Sequence, residues 1–204
     1  MKKIILKMSI LTLIPIMLLG CGSKKEDEQS NSKLNVTVSI SPLKEFTEAI
    51  GGEKVEVTTL VPENTEPHDF DFKPKDIQKI MNEKVFIYNG LGMEEWIEDL
   101  KSQVGDKDVK FVDSSNGVEV IKEDSKIDPH IWLSLKAASI QSNNIKESLI
   151  EADPNNKDYY EENYSKFREE LDSLYEEYNT KFKTTKTKDF VTSHAAFGYL
   201  CRDY

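Results

Sequence analysis

The chain has 204 residues, 31% of them charged and 38% hydrophobic, with a formal net charge of −10. So acidic a chain argues against nucleic acid as a partner and offers no polybasic patch to anionic lipid. With two cysteines and three histidines in all, neither a disulfide-dense scaffold nor a cysteine–histidine zinc knuckle can be built.

The chain opens MKKIILKMSILTLIPIMLLGCG. Lys2 and Lys3 precede an apolar run from Met8 to Leu19, too short to span a bilayer comfortably, so residues 1–20 read as a signal peptide. The stretch LLGC resembles the bacterial lipobox, in which the cysteine is lipidated and the peptide is cut before it. That resemblance implies Cys21 as the lipid attachment point; the alternative is an ordinary secretory signal with an incidental cysteine. One cysteine can carry more than one acyl chain, which stable anchoring requires. Residues 21–33 are polar after Cys21 and read as a disordered tether, spanning roughly 20 Å as a flexible coil. Losing residues 1–20 removes three lysines and no acid, so the mature chain is more acidic still. With Cys21 lipidated, Cys201 has no disulfide partner and reads as a small buried hydrophobe.

LNVTVSI (34–40) alternates and is rich in β-branched residues, predicting a strand. SPLKEFTEAIGG follows with Ser41 as cap, Pro42 at the first helical position, Leu43, Phe46 and Ile50 on one face, and Gly51–Gly52 as the stop. KVEVTTLV (54–61) predicts a second strand, PKDIQKIMNE a short helix, and KVFIYNG (84–90) a buried strand. MEEWIEDL is helical through Met93, Trp96, Ile97 and Leu100, and VKFVD (109–113) is a fourth strand. Strands alternating with helices imply an α/β lobe with a four-stranded parallel sheet, assigned to residues 34–153.

SLKAASIQSNNIKESLIEA predicts a helix ending at Asp153–Pro154. A single long helix is expected over 154–184, with Tyr160, Tyr164, Phe167, Leu171, Leu174, Tyr178 and Phe182 on one seam. Glu162–Lys166 and Glu177–Lys181 are i,i+4 pairs in the favourable order. At 1.5 Å per residue the helix would be about 46 Å long. A coiled coil is the alternative, but tyrosine and phenylalanine fill most of a seam that a zipper would line with Leu, Ile and Val. KDFVTSH then predicts a strand, so residues 185–204 are expected to begin a second, similar lobe that these residues do not complete.

The three histidines lie in TEPHDFDF (His68), IDPHIWLS (His130) and VTSHAAFGYL (His194). His68 and His194 are predicted at or just beyond strand ends, and His130 in a turn after the fourth strand. Ligands of open α/β sheets bind beyond the carboxyl ends of the strands. Pro67 and Pro129 fix φ just ahead of two of the histidines. Any one of them alone would be unremarkable; all three together point to a shared ligand.

TEPHDFDFKPKDIQKI, VFIYNGLGMEEWIEDL, DPHIWLSLKAA, DPNNKDYYEENYSKF and VTSHAAFGYL, in that order, resemble the zinc- and manganese-binding lipoproteins of bacterial ABC importers. The resemblance implies two α/β lobes joined by a long rigid helix, with one metal ion in the cleft and His68, His130 and His194 as its ligands. A histidine at the third position, here His194, marks the zinc-preferring branch, and a glutamate there the manganese branch. The fourth ligand in the family is a carboxylate of the second lobe, beyond Tyr204. The resemblance implies no enzyme but a monomeric, lipid-anchored receptor on the extracytoplasmic face, delivering Zn²⁺ (with Mn²⁺ as the alternative) to a membrane permease. The rival readings are a zinc hydrolase, for which no acid/base residue stands out, and an adhesin with a structural metal.

The chemistry agrees. Zn²⁺ accepts neutral imidazole nitrogens in tetrahedral geometry, whereas Mn²⁺ favours oxygen. Each histidine should give its other ring N–H to a carboxylate or carbonyl; Asp69, Asp71 and Asp128 are the nearby acids. With no sheet for the last strand to join, His194 is expected to lack a fixed place, leaving weak binding through His68 and His130.

Overall fold

Branched and aromatic runs make four short strands: β1 (Leu34–Val38), β2 (Val55–Thr59), β3 (Val85–Tyr88) and β4 (Lys110–Asp113). They form one sheet, all parallel, in the order β2-β1-β3-β4. The structure, a computed structural model, describes residues 32–123 and 126–204. The expected signal peptide, Cys21 and the tether up to residue 31 lie outside the described residues. The four strands fall where the sequence places them.

Helices cover both faces, as a parallel sheet requires. The side chains of β3 show the division, because successive residues point to opposite faces. Val85 and Ile87 pack with Val36, Val38, Leu43, Ile50, Ile145, Leu149 and Tyr160. This layer is built by α1 (Ser41–Gly51), α4 (Leu135–Ala152) and α5 (Lys157–Thr184). Phe86 and Tyr88 pack with Ile80, Trp96, Leu100 and Val104, carried by α2 (Pro74–Ile80), the β3–α3 turn and α3 (Ile97–Val104). Ser41 is the first residue of α1 rather than its cap; Ile40 precedes the helix, without a side-chain cap, and proline sits in its first turn. Ser134 does cap α4, its hydroxyl accepting from the Ala137 N–H at 3.1 Å.

The long helix begins after a 3-10 turn at Pro154–Asn156, and the 28 residues of α5 extend for about 42 Å. Its first half lies along α4 and α1, with Phe167 against Phe46 at 5.7 Å between ring centroids. In its second half Tyr175, Tyr178 and Phe182 pack around Tyr204. The aromatic seam is therefore met within the same chain. At the α4–α5 corner the fully buried Tyr160 donates its hydroxyl to Asp153 Oδ2 at 2.8 Å. Burial first, and then this bond, push the Tyr160 phenol above its ordinary range. Tyr160→Phe keeps the ring and removes the bond, and is expected to cost about 1 kcal/mol. That is a fall of roughly 3 °C in the thermal midpoint for a chain of this size; an unchanged midpoint would mean the hydroxyl contributes nothing.

Two expectations for the last twenty residues are corrected. KDFVTSH is not a strand: residues 185–193 run without helix or strand, and Val191 is 99% exposed. A strand exists only by pairing, and among the described residues no strand pairs with this segment. Order returns in α6 (Gly198–Asp203). Cys201 is exposed rather than buried. It lies two residues from Tyr199, the wholly buried residue of α6, and side chains two apart on a helix do not share a face. The remaining strands, β5 (Lys122–Glu123) and β6 (Lys126–Ile127), make a small antiparallel ribbon before the His130 loop. No helix among the described residues is long and apolar enough to cross a membrane.

Candidate metal centre

The order β2-β1-β3-β4 reverses direction between β1 and β3, and the crevice at their carboxyl ends is where such sheets bind ligands. Ser39 and Asn89–Gly90 follow these two strands, and the buried Glu94 carboxylate bridges them. Its Oε1 accepts from Ser39 Oγ at 2.5 Å and from the Asn89 N–H at 2.8 Å, while Oε2 accepts from the Gly90 N–H at 3.0 Å. Burial pushes this carboxyl above its ordinary range, and the hydrogen bonds it accepts only partly oppose the shift. Gly90 has φ +85°, and a Cβ there would lie 2.2 Å from Asp113 Oδ1. Only glycine fits this turn.

His68, His130 and His194 come together just outside that crevice. One ring nitrogen from each lies within 4.8 Å of the others. His68 follows β2 and is half-buried, His130 is buried, and His194 is exposed. The ring centroids of His130 and His194 are 4.9 Å apart, and their Nε2 atoms 2.9 Å. Tetrahedral zinc with Zn–N bonds of about 2.0–2.1 Å sets ligand nitrogens roughly 3.4 Å apart. The observed spacings bracket that value.

His130 is the best oriented of the three. Asp128 Oδ1 accepts from the His130 backbone N–H at 2.9 Å and meets ring Nδ1 at 2.8 Å. An Nδ1–H donated to this carboxylate leaves the Nε2 lone pair facing the other imidazoles, the arrangement in which an outer carboxylate fixes a ligand's tautomer. Of the three nearby acids, Asp128 is therefore the one that pairs; Asp71 instead pairs with Lys73. Glu66 stands to His68 partly as Asp128 does to His130. Its Oε1 accepts from the His68 N–H at 3.4 Å and lies 4.0 Å from Nε2.

His194 has a fixed place without a strand, contrary to the sequence expectation. The Tyr199 hydroxyl donates to the Asp128 carbonyl at 2.6 Å and accepts from the Ile121 N–H at 3.1 Å. Gly198 lets α6 approach, since a Cβ there would lie 2.7 Å from Asp128 Oδ2. The backbone carrying His194 is thus tied to the residue that orients His130. Beside His130 a cavity of about 510 Å³ is lined by Asp128, Pro129, Phe190, Phe197 and Cys201 among others.

Three polar residues that hold this region were not singled out from the sequence. In the sequence Asn89 stands at the end of the third predicted strand and Trp96 at an apolar helix position, while nothing in MEEWIEDL sets Glu94 apart from its neighbouring acids. A buried indole N–H needs a partner, and that was the available signal for Trp96. The other signal was the repeated acid-Pro-His, at Glu66-Pro67-His68 and Asp128-Pro129-His130.

Residues 36–204 match the family described as ZnuA, zinc-uptake complex component A, periplasmic. The chain belongs to this family. Within it, the chain is 32% identical over 207 residues to the high-affinity zinc uptake system protein ZnuA of Bacillus subtilis, covering 93% of this chain and 65% of that protein. It is 34% identical over 207 residues to the manganese ABC transporter substrate-binding lipoprotein PsaA of Streptococcus mitis, covering 96% and 67%. The crystal structure of the Zn(II)-bound ZnuA-like domain of Streptococcus pneumoniae AdcA superposes with a TM-score of 0.79 at 34% identity, covering 85% of this chain and 64% of that one. The chain thus spans a little under two thirds of the length of the Bacillus subtilis relative. The ZnuA family is one of substrate-binding receptors of ABC transporters, not of enzymes.

Proposed function

We propose that the protein is an extracytoplasmic zinc receptor that takes up Zn²⁺ through His68, His130 and His194 and delivers it to the permease of an ABC importer. The observation that carries this reading is the convergence of the three imidazoles within 4.8 Å, one of them already turned by Asp128. Three neutral nitrogens suit zinc, leaving a fourth tetrahedral position for a carboxylate or water. Lipidation at Cys21 would hold the receptor at the membrane. In this reading residues 34–153 form the metal-binding lobe, 154–184 the rigid connecting helix, and 185–204 the start of a second lobe that supplies His194.

Manganese is the second reading, favoured by the similarity to PsaA of Streptococcus mitis. The donor set argues for zinc, because a third nitrogen in place of an oxygen moves preference away from Mn²⁺. Titration of the purified protein with Zn²⁺ and Mn²⁺ against chelators tests both. Tight zinc binding and a zinc-to-manganese affinity ratio that falls in His194→Glu are expected. Preference for manganese by the unaltered protein would overturn the zinc assignment.

A further inference from the structure

We propose that the segment Asn89–Trp96 is a positioning element that sets the separation of His68 and His130 by holding the carbonyls of the prolines that precede them. This rests on the zinc-receptor reading and goes beyond the three histidines. Trp96 Nε1–H donates to the Pro67 carbonyl at 3.0 Å, and Asn89 Nδ2–H donates to the Pro129 carbonyl at 2.8 Å. Proline has no N–H, so its carbonyl is the backbone hydrogen-bonding handle at each position. The peptide unit is planar and includes the proline C and O together with the N and Cα of the following residue. Fixing the proline oxygen therefore constrains the Cα from which each imidazole projects.

Both donors sit on one short stretch, and that stretch is itself held. Glu94 ties it to the ends of β1 and β3 through Ser39, Asn89 and Gly90. Asn89 Oδ1 accepts from Gln141 Nε2 at 3.1 Å, which orients the amide so that its NH₂ faces Pro129. Trp96 is packed edge-on by Phe70, with ring centroids 5.5 Å apart, and tilted against Phe72 at 6.1 Å. These two phenylalanines follow His68 in TEPHDFDF, so the indole grips the His68 loop on both sides of the histidine. Trp96, Asn89 and Glu94 touch no ring nitrogen of the site; they act through the loops.

Ligands held in place before the metal arrives bind it more tightly, because less ordering remains to be done on binding. Trp96→Phe keeps an aromatic ring beside Phe70 and Phe72 and removes the N–H with part of the indole's volume; Asn89→Asp keeps an acceptor for Gln141 and replaces the amide donor to the Pro129 and Gly90 carbonyls by a carboxylate oxygen. Each is expected to weaken zinc binding roughly tenfold, the low end of what outer partners of metal sites contribute. Substituted Co²⁺ should lose part of its tetrahedral visible absorption in both variants, with the metal-free protein still folded in thermal unfolding.

A double-variant cycle separates positioning from general stabilisation. In a His68→Ala background Trp96→Phe should no longer change zinc affinity, since the histidine it positions is gone, whereas Asn89→Asp should keep its effect through His130. Wild-type affinity in Trp96→Phe, or an undiminished loss in the His68→Ala background, overturns the positioning role. If the unaltered protein binds no zinc, both the receptor reading and this inference fail. If it binds zinc and Trp96→Phe binds equally well, this inference alone fails.

Discussion

His130→Ala is expected to lower zinc affinity further than any other single change in the protein, beyond the roughly 10–100-fold that loss of an outer-shell partner costs. His130 is 7% exposed, the most buried of the three histidines. Asp128 fixes both its backbone N–H and its ring, so its Nε2 is presented at the least cost in ordering. Removing the imidazole also takes the ring partner from the Asp128 carboxylate and leaves it the backbone N–H of residue 130. Asp128→Asn should fall between the unaltered protein and His130→Ala, because the amide oxygen can still accept from the ring Nδ1–H, but more weakly than a carboxylate does. His194→Ala should cost less, its ring being exposed and, among the described contacts, without a carboxylate placed as Asp128 is for His130. Competition against a graded set of zinc chelators gives the ranking directly. Wild-type affinity in His130→Ala would remove it from the ligand set.

Cys21→Ala should move the protein from the membrane fraction to the soluble one, an all-or-none change in partitioning. The sequence argument is the apolar run Met8–Leu19, the small Gly20 directly before the cysteine, and a polar stretch after it. A single acyl chain gives only marginal, reversible membrane binding, so an anchored protein needs more than one on this residue. Residues 22–33 carry lysines and acids together, too mixed in charge to hold the chain to anionic lipid without the acyl groups. Cell fractionation with and without the substitution decides the matter. If the variant stays with the membrane, the attachment lies elsewhere. Because Cys21 is remote in sequence from all three histidines, zinc affinity of the variant should match that of the unaltered protein.

The parallel sheet was legible in the sequence because its determinants are local. LNVTV, VEVTT, VFIY and KFVD are each short branched or aromatic runs bounded by turn residues, and each becomes a strand. The long helix was legible for the same reason, through its 3–4 spacing. The three histidines could be singled out as a set, because histidine is scarce here and two of the three follow a proline. What the sequence could not supply was anything that depends on contacts between distant segments. KDFVTSH has strand composition, yet strand formation needs a neighbouring edge, and residues 185–193 have none among the described residues. Cys201 has the character of a core residue, but α6 turns Tyr199 inward and leaves the thiol outside. His194 is placed by a tyrosine hydroxyl that reaches Ile121 and Asp128, more than seventy positions away. Glu94 looks like any surface acid until β1 and β3 lie side by side and aim a hydroxyl and two N–H groups at it. Local propensity thus determined which segments are regular, and the packing of those segments decided which polar atoms meet, because hydrogen bonds between separate loops exist only once the sheet has set the loops side by side.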